Sequence, residues 1–310
     1  MLAPIVLFAF NRPNTLKRLI ESLRHCLEAE QSCVYVFVDG PRSENDQEAI
    51  AEVLALLKRC NCFRTLHIEV APANKGLAKS VIDGVTAVMQ TEGRAIVLED
   101  DLVVSPFFLT FMNQAIETYE HRNDIWSISA YTPAIELPQD YIEDVFLVPR
   151  AQCWGWASWK DRWRTIDWHP INTGEHLTHQ ERKQFDRGGN DLSRTLEMEA
   201  AGRIESWAVR WAYNASIQNR WTVNPIQSLV QNMGCKNSSA HRGWHDNRHH
   251  TTLASKLPTV APSIEPDERI LTAFKQHHDV GLVSRVGYFM RRYGLGYNWV
   301  KKTFYMGASY

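Results

Sequence analysis

Ala95-Ile-Val-Leu-Glu-Asp-Asp-Leu-Val103 runs from an apolar stretch straight into three consecutive carboxylates. Ile96, Val97 and Leu98 read as a buried strand, bounded by Gly93 upstream and Ser105-Pro106 downstream. If the pleat persists to the strand end, Glu99 and Asp101 point to one side and Asp100 to the other. Three partly desolvated carboxylates repel one another, so some hold protons unless a divalent ion or a basic group compensates. Hard oxygen ligands suit Mg2+ or Mn2+. At this point a solvated acidic turn before the helix that starts at Ser105 accounts for the triplet equally well.

Outward from that strand, the first 130 residues alternate short apolar runs with amphipathic segments. This pattern predicts an α/β fold, a mostly parallel sheet flanked by helices. Strands are expected at Ile5 to Phe10, Cys33 to Val38, Leu66 to Val70, Ala95 to Leu98 and Trp126 to Ser129. Leu16, Leu19, Ile20 and Leu23 recur at helical spacing, as do Ile50, Val53, Leu54 and Leu57. A third helix follows Asn74-Lys75-Gly76 with Leu77, Val81, Val85 and Val88 on one face, and a fourth buries Phe108, Phe111, Met112 and Ile116. Polar groups fall just past the strand ends at Asn11-Arg12, Asp39-Gly40, Asn74-Lys75 and Glu99 to Asp101, the edge where open parallel sheets bind ligands. Singly, each reads as an ordinary turn or helix start. Jointly they describe a site.

After Pro133 the character changes. Cys153-Trp-Gly-Trp-Ala-Ser-Trp-Lys-Asp-Arg-Trp163 is aromatic-rich, and core packing is expected for most of these tryptophans, with Gly155 permitting a close approach by a ligand or a second backbone. Residues 171 to 190 read as polar loop. Helices are expected over Asp191 to Ala201 and Trp207 to Gln218, with Glu205 directly before the second, where an acid satisfies free N–H groups. Trp221 to Pro225 is a last short strand. Residues 231 to 250 read as a mobile polar loop in which His241, His245 and His249 recur every four residues. The basic amphipathic tail over 282 to 304 fits either contact with an anionic membrane surface or a helix docked on the body. The expected organisation is an α/β half over 1–130, an acceptor-side half over 131–250 and a C-terminal extension over 251–310.

The 310 residues carry a formal net charge of -1, so no overall field recruits nucleic acid. Six scattered cysteines form no CxxC pair and read as free thiols of a reducing compartment. The apolar Met1 to Phe10 lacks a basic leader and reads as a strand, and no apolar run approaches a membrane span. A cytoplasmic location is expected, with peripheral contact at the inner face of the cytoplasmic membrane through the tail.

With the acidic triplet, the Asp39 turn, the Gly-Trp segment and Glu205 in this order, the chain resembles glycosyltransferases of the GT-A fold, bacterial sugar transferases among them. It is most similar to the N-acetylglucosaminyltransferase I type. The resemblance runs from about Pro4 to Gly243 and is carried by Val97-Leu-Glu-Asp-Asp-Leu-Val103 with Ser105-Pro-Phe-Phe108, Ile125-Trp-Ser-Ile-Ser-Ala130, Trp154-Gly-Trp156, Glu205-Ser-Trp207, Asn224-Pro225 and the Gly-Cys-Lys-Asn-Ser-Ser loop. It implies that Arg12 helps hold the nucleotide, Asp39 hydrogen-bonds uracil, and Glu99 and Asp100 contact the donor sugar and ribose. Asp101 would ligate Mn2+ (or Mg2+) together with the donor diphosphate, and Glu205 would be the catalytic base. Ser238 or Ser239 falls in a loop that closes over the phosphates. The family carries Asp-Asp where this chain has Glu205-Ser206.

The implied activity is metal-dependent, inverting transfer from a UDP-sugar, UDP-GlcNAc or another UDP-hexose, to a hydroxyl of a glycan or lipid-linked saccharide in surface polysaccharide synthesis. A sugar-phosphate nucleotidyltransferase would share the sheet and the metal but should show a Gly-rich phosphate loop after the first strand, and Phe10-Asn-Arg-Pro13 has no glycine. A non-catalytic glycan-binding domain would keep the fold and the aromatics without needing Glu205.

Overall fold

The computed structural model describes residues 1–169, 177–234 and 251–280. In chain order, β1 (Ile5–Ala9), α1 (Pro13–Arg24), β2 (Cys33–Val38), α2 (Gln47–Arg59), β3 (Thr65–Val70), α3 (Leu77–Glu92) and β4 (Arg94–Glu99) form the alternating start. A short β5 (Leu102–Val104), α4 (Phe108–Tyr119) and β6 (Ile125–Ser129) follow. Then come β7 (Val145–Val148), β8 (Trp156–Trp159), α5 (Lys160–Trp163), α6 (His179–Phe185), α7 (Asp191–Ala200), α8 (Trp207–Ile217), β9 (Trp221–Pro225), β10 (Val230–Asn232) and α9 (Glu268–His278).

Eight strands make one sheet in the order β3-β2-β1-β4-β8-β6-β9-β7. The first four pair in parallel, β6 and β9 pair in parallel, and β8 and β7 run against their neighbours. The expectation of an α/β protein with a mostly parallel sheet flanked by helices is met. Alternation along β1 sets the two faces: Ile5 and Leu7 join Leu16, Leu19 and Leu23 of α1, Val53 of α2 and Phe108 of α4. Val6 and Phe8 join Val81, Val85 and Val88 of α3 on the other face. The apolar spacing that predicted these helices is therefore the spacing that covers the sheet.

The aromatic stretch holds a strand that its composition hid. Trp156–Trp159 inserts as β8 between β4 and β6, antiparallel to both, so the sheet does not pass directly from β4 to β6. Trp156 packs in a cluster with Trp163, Trp207 and Trp211, the closest ring centroids 4.2 Å apart, which is the core role expected of them. Gly155 adopts a left-handed φ of +61°, and Phe108, Ala130 and Val230 surround the place of its missing Cβ. What approaches this glycine closely is the protein's own core.

Within 171–190, read above as loop, α6 forms because Thr178 and Glu181 make a reciprocal capping box. That four-residue signal lay in the sequence but carried no apolar periodicity around it. Residues 251–280 wrap back onto the body: the Ser105 hydroxyl donates to the Ala254 carbonyl at 2.9 Å, the Tyr119 hydroxyl to the Ala261 carbonyl at 2.6 Å, and Phe274 of α9 meets Phe146 of β7. Among the described residues no helix is long and apolar enough to cross a membrane. Cys26, Cys33, Cys60, Cys62 and Cys153 are free thiols. Ser238, Ser239, His241, His245, His249, Cys235 and the tail over 282–304 lie outside the described residues.

Candidate active site

The strand β4 ends at Glu99, and the chain turns at Asp100 and Asp101 into β5, which pairs with β10 in a separate two-stranded sheet. The pleat therefore stops one residue into the triplet. Asp100 and Asp101 do not point to opposite sides as expected but converge on one guanidinium. Arg12 Nη2 pairs with Asp100 Oδ1, and Arg12 Nη1 donates to Asp101 Oδ2 at 2.8 Å. Arg12 arrives there as the residue before Pro13, which opens α1.

The two aspartates have different backing. Asp100 is fully buried; its N–H donates to the Phe8 carbonyl and its Oδ2 accepts from the Phe10 N–H, both at 3.0 Å. Asp101 Oδ1 accepts from Asn232 Nδ2 at 3.4 Å, and its carbonyl accepts from the Met233 N–H at 2.7 Å. A Cβ on Gly234 would collide with Asp101 Oδ2, so any larger residue there would push the carboxylate aside. The segment read above as a mobile loop from 231 on begins as a strand, β10, and its contact with Asp101 through Asn232, Met233 and Gly234 was not legible, since nothing local marks a contact across some 130 residues.

Three acids share one nearby cation, and their protonation shows it. Burial, then the charges of Asp101 and Asp100, push the Glu99 carboxyl up to about 8, an effect that Arg12 offsets only in part. Burial likewise pushes Asp100 up to about 6 against the pull of Arg12 and the Phe10 N–H. For Arg12, burial disfavours the charged form, but Asp100 and Asp101 outweigh it and raise its pKa.

Asp39, at the end of β2, is satisfied in another manner. Its Oδ1 accepts from the N–H groups of Gly40 at 2.9 Å and Lys75 at 2.8 Å. Its Oδ2 accepts from Asn74 Nδ2 at 2.9 Å and the Gly76 N–H at 3.1 Å. A carboxylate offers about four acceptor positions, and these four donors take them all. Asp39 thus ties the loop before α3 to the sheet edge, which makes Asn74 part of the site's frame. Asn11, expected at the same edge, is drawn aside to Asp46 Oδ1 at 2.6 Å.

Glu205 comes from the far half of the chain. The helix-capping role considered for it falls to Ser206, whose hydroxyl accepts from the Val209 N–H at 3.3 Å. Glu205 itself is exposed, and its Oε2 lies 3.6 Å from where a Cβ on Gly76 would sit. The carboxylate therefore rests against the loop that Asp39 holds. A cavity of about 460 Å³ opens beside it, lined among others by Tyr131, Gln152, Cys153, Trp154, Thr195 and Ser206. The rings of Tyr131 and Trp154 meet edge to face at 4.6 Å. Burial and then the charge of Glu99 push the Cys153 thiol up to about 12, so this cavity wall feels the acidic triplet. A second, smaller space of about 160 Å³ lies under the Asp39 loop, between Phe37, Lys75 and Asp83.

Among the described residues no three His, Cys, Asp or Glu side chains gather closely enough to hold a metal ion unaided. The donor set nevertheless suits a hard divalent ion: the oxygens are carboxylate, and their negative charge exceeds the one guanidinium present.

No protein-family model matches the chain. Among solved structures it is similar to the crystal structure of S. aureus TarS 1-349, with 10% identity over 76% of this chain and 61% of that chain, TM-score 0.43. It is also similar to TarS 1-349 in complex with UDP-GlcNAc, with 12% identity over 74% of this chain and 58% of that chain, TM-score 0.39. A third is GalNAc-T7 with UDP, GalNAc and Mn2+, with 11% identity over 73% of this chain and 42% of that chain, TM-score 0.43. The chain spans about three fifths of TarS 1-349 and two fifths of the GalNAc-T7 chain.

Proposed function

We propose that the chain is a GT-A glycosyltransferase that moves a sugar from a UDP-sugar to a hydroxyl of a glycan or lipid-linked saccharide. Two observations support this reading: the cluster of Arg12, Asp100 and Asp101 at the carboxyl edge of the sheet, and Glu205, from the other half of the chain, against Gly76 in the loop that Asp39 ties to that same edge. The order and residue types of these elements are those of the resemblance described above.

In this reading Arg12 neutralises the donor's diphosphate, and Glu99 and Asp100 face its sugar and ribose. Asp39, expected from the resemblance to hydrogen-bond uracil, has its acceptor positions filled by the protein and acts instead through the backbone it orders, setting the Asn74-Lys75-Gly76 loop beside the base. Asp101, with oxygens of the diphosphate, would hold Mn2+ or Mg2+, which supplies Lewis-acid stabilisation of the charge that builds on the leaving group. Glu205 takes the proton from the acceptor hydroxyl as its oxygen attacks the anomeric carbon. One base and direct displacement invert that carbon, so an α-linked donor yields a β-glycoside. The 460 Å³ cavity with Trp154 and Tyr131 has room and an aromatic face for a sugar ring.

The test combines binding and turnover. A panel of nucleotide sugars screened with Mn2+ should yield one or a few that raise the melting temperature, because ligands that bind the folded state stabilise it. Glu205→Gln should retain that stabilisation and lose about 10²- to 10⁴-fold in transfer rate, the range of a general base. Unchanged turnover removes Glu205 from the mechanism, and a panel without any stabilising nucleotide rejects the donor class.

A further inference from the structure

Among the described residues, Arg12 is the cation that pairs with both Asp100 and Asp101. Its two acids differ in how firmly they are held. Asp100 is 1% exposed and anchored from behind by the Phe10 N–H, so it has no freedom to leave. Among the described residues, Asp101 has besides Arg12 only the long 3.4 Å contact from Asn232 on its side-chain oxygens. The Arg12 side chain is 42% exposed, so it faces carboxylates on one side and open space on the other.

We infer that Arg12 is an exchangeable counter-ion. Before donor binding its guanidinium occupies Asp101 in the stead of a divalent ion, and on donor binding it leaves Asp101 for the donor's diphosphate while Asp100 keeps hold of it. The inference rests on the nucleotide-sugar reading above and deepens it, assigning Arg12 as a donor-binding residue that couples metal and donor. A guanidinium fork matches carboxylate and phosphate oxygens equally well, so the exchange replaces one charge-assisted pair by another. Its long side chain can turn about its own torsions without backbone movement, with the buried Asp100 as pivot. The consequence is a defined pattern of coupling: metal and Arg12 compete for Asp101, whereas metal and diphosphate assist each other.

Calorimetric titrations of the full chain decide the matter, using MnCl2 alone, UDP into Mn2+-saturated protein, and uridine as a phosphate-free control. Arg12→Gln should bind Mn2+ alone about tenfold more tightly than the wild type and bind UDP in saturating Mn2+ about tenfold more weakly, the scale of one charge-assisted hydrogen bond. Uridine binding should not change. Arg12→Lys keeps the charge but lacks the fork that bridges two carboxylates, so it should shift both affinities in the same directions by less, and it decides the question if the glutamine variant does not fold. Tighter Mn2+ with unaltered UDP affinity makes Arg12 a mere repulsive charge and overturns the exchange, as does unaltered Mn2+ binding in both variants. A wild type that binds Mn2+ but never UDP fails the nucleotide-sugar reading itself, and the exchange falls with it.

Discussion

Asp39 and Asp101 stand just past the carboxyl ends of β2 and β4, the two strands that flank β1, yet their carboxylates are satisfied in opposite ways. Asp39 accepts four hydrogen bonds, three of them from backbone N–H groups that cannot move without unmaking the loop. Asp101 leans on a guanidinium at the end of a half-exposed side chain and on one long amide contact. The first arrangement is structural: an acid paired with fixed dipoles shapes the chain around it. The second is an interaction held in readiness, because a side-chain cation can be replaced by another cation at little structural cost. The same residue type at the same sheet edge thus serves as frame in one place and, in the proposed function, as ligand in the other.

The comparison breaks first, and most visibly, at Asp39. Asp39→Ala takes the acceptor from three backbone N–H groups, one of them buried, while Asn74 Nδ2 keeps the Gly40 carbonyl at 3.0 Å, so with about 1–3 kcal/mol at stake for a buried unsatisfied group the variant should lose about 2 kcal/mol of stability. Chemical denaturation reads this directly, and a loss under about 1 kcal/mol would demote Asp39 from frame to decoration. Asp101→Asn should do the reverse. Its side chain keeps the size and half the acceptors, so the melting temperature should move by a degree or two at most, while Mn2+-dependent UDP binding in calorimetry should vanish. Persistent Mn2+ dependence would show that another group holds the ion.

The smallest expected effect sharpens the comparison through pH. The folded-state pKa of Glu99, about 8, lies above its ordinary value of 4.5, so the folded protein keeps a proton that the unfolded chain gives up first. The stability this confers is complete below the ordinary value and declines as pH rises towards 8. In EDTA, Glu99→Gln, which cannot ionise, should therefore melt a few degrees higher than the wild type at pH 8 and at the same temperature at pH 4. Equal melting at both pH values would mean that some cation already compensates the triplet.

Much of this was legible in the chain. The helix periodicities of Leu16 to Leu23 and Val81 to Val88 are those that cover the two faces of the sheet, and the polar residues past each early strand do line one edge. The tryptophan stretch was legible as core but not as a strand. Its four residues are buried on both faces, and a strand buried on both faces gives no alternation to read. α6 was missed because its evidence is one capping box in a polar setting.

Sequence by itself determined the α/β class and nominated Arg12, Asp39, Glu99, Asp100 and Asp101, since periodicity and strand-end position are local properties of the chain, while Glu205 was nominated by the resemblance alone. Only the tertiary structure decided what each acid touches. That Asp100 and Asp101 share Arg12, that Asp39 is filled by its neighbours, and that Ser206 frees Glu205 to lie against Gly76 all depend on where the backbone turns after its last ladder bond. Side-chain direction follows the pleat while a strand lasts, and beyond it the contacts are set by segments far apart in the chain.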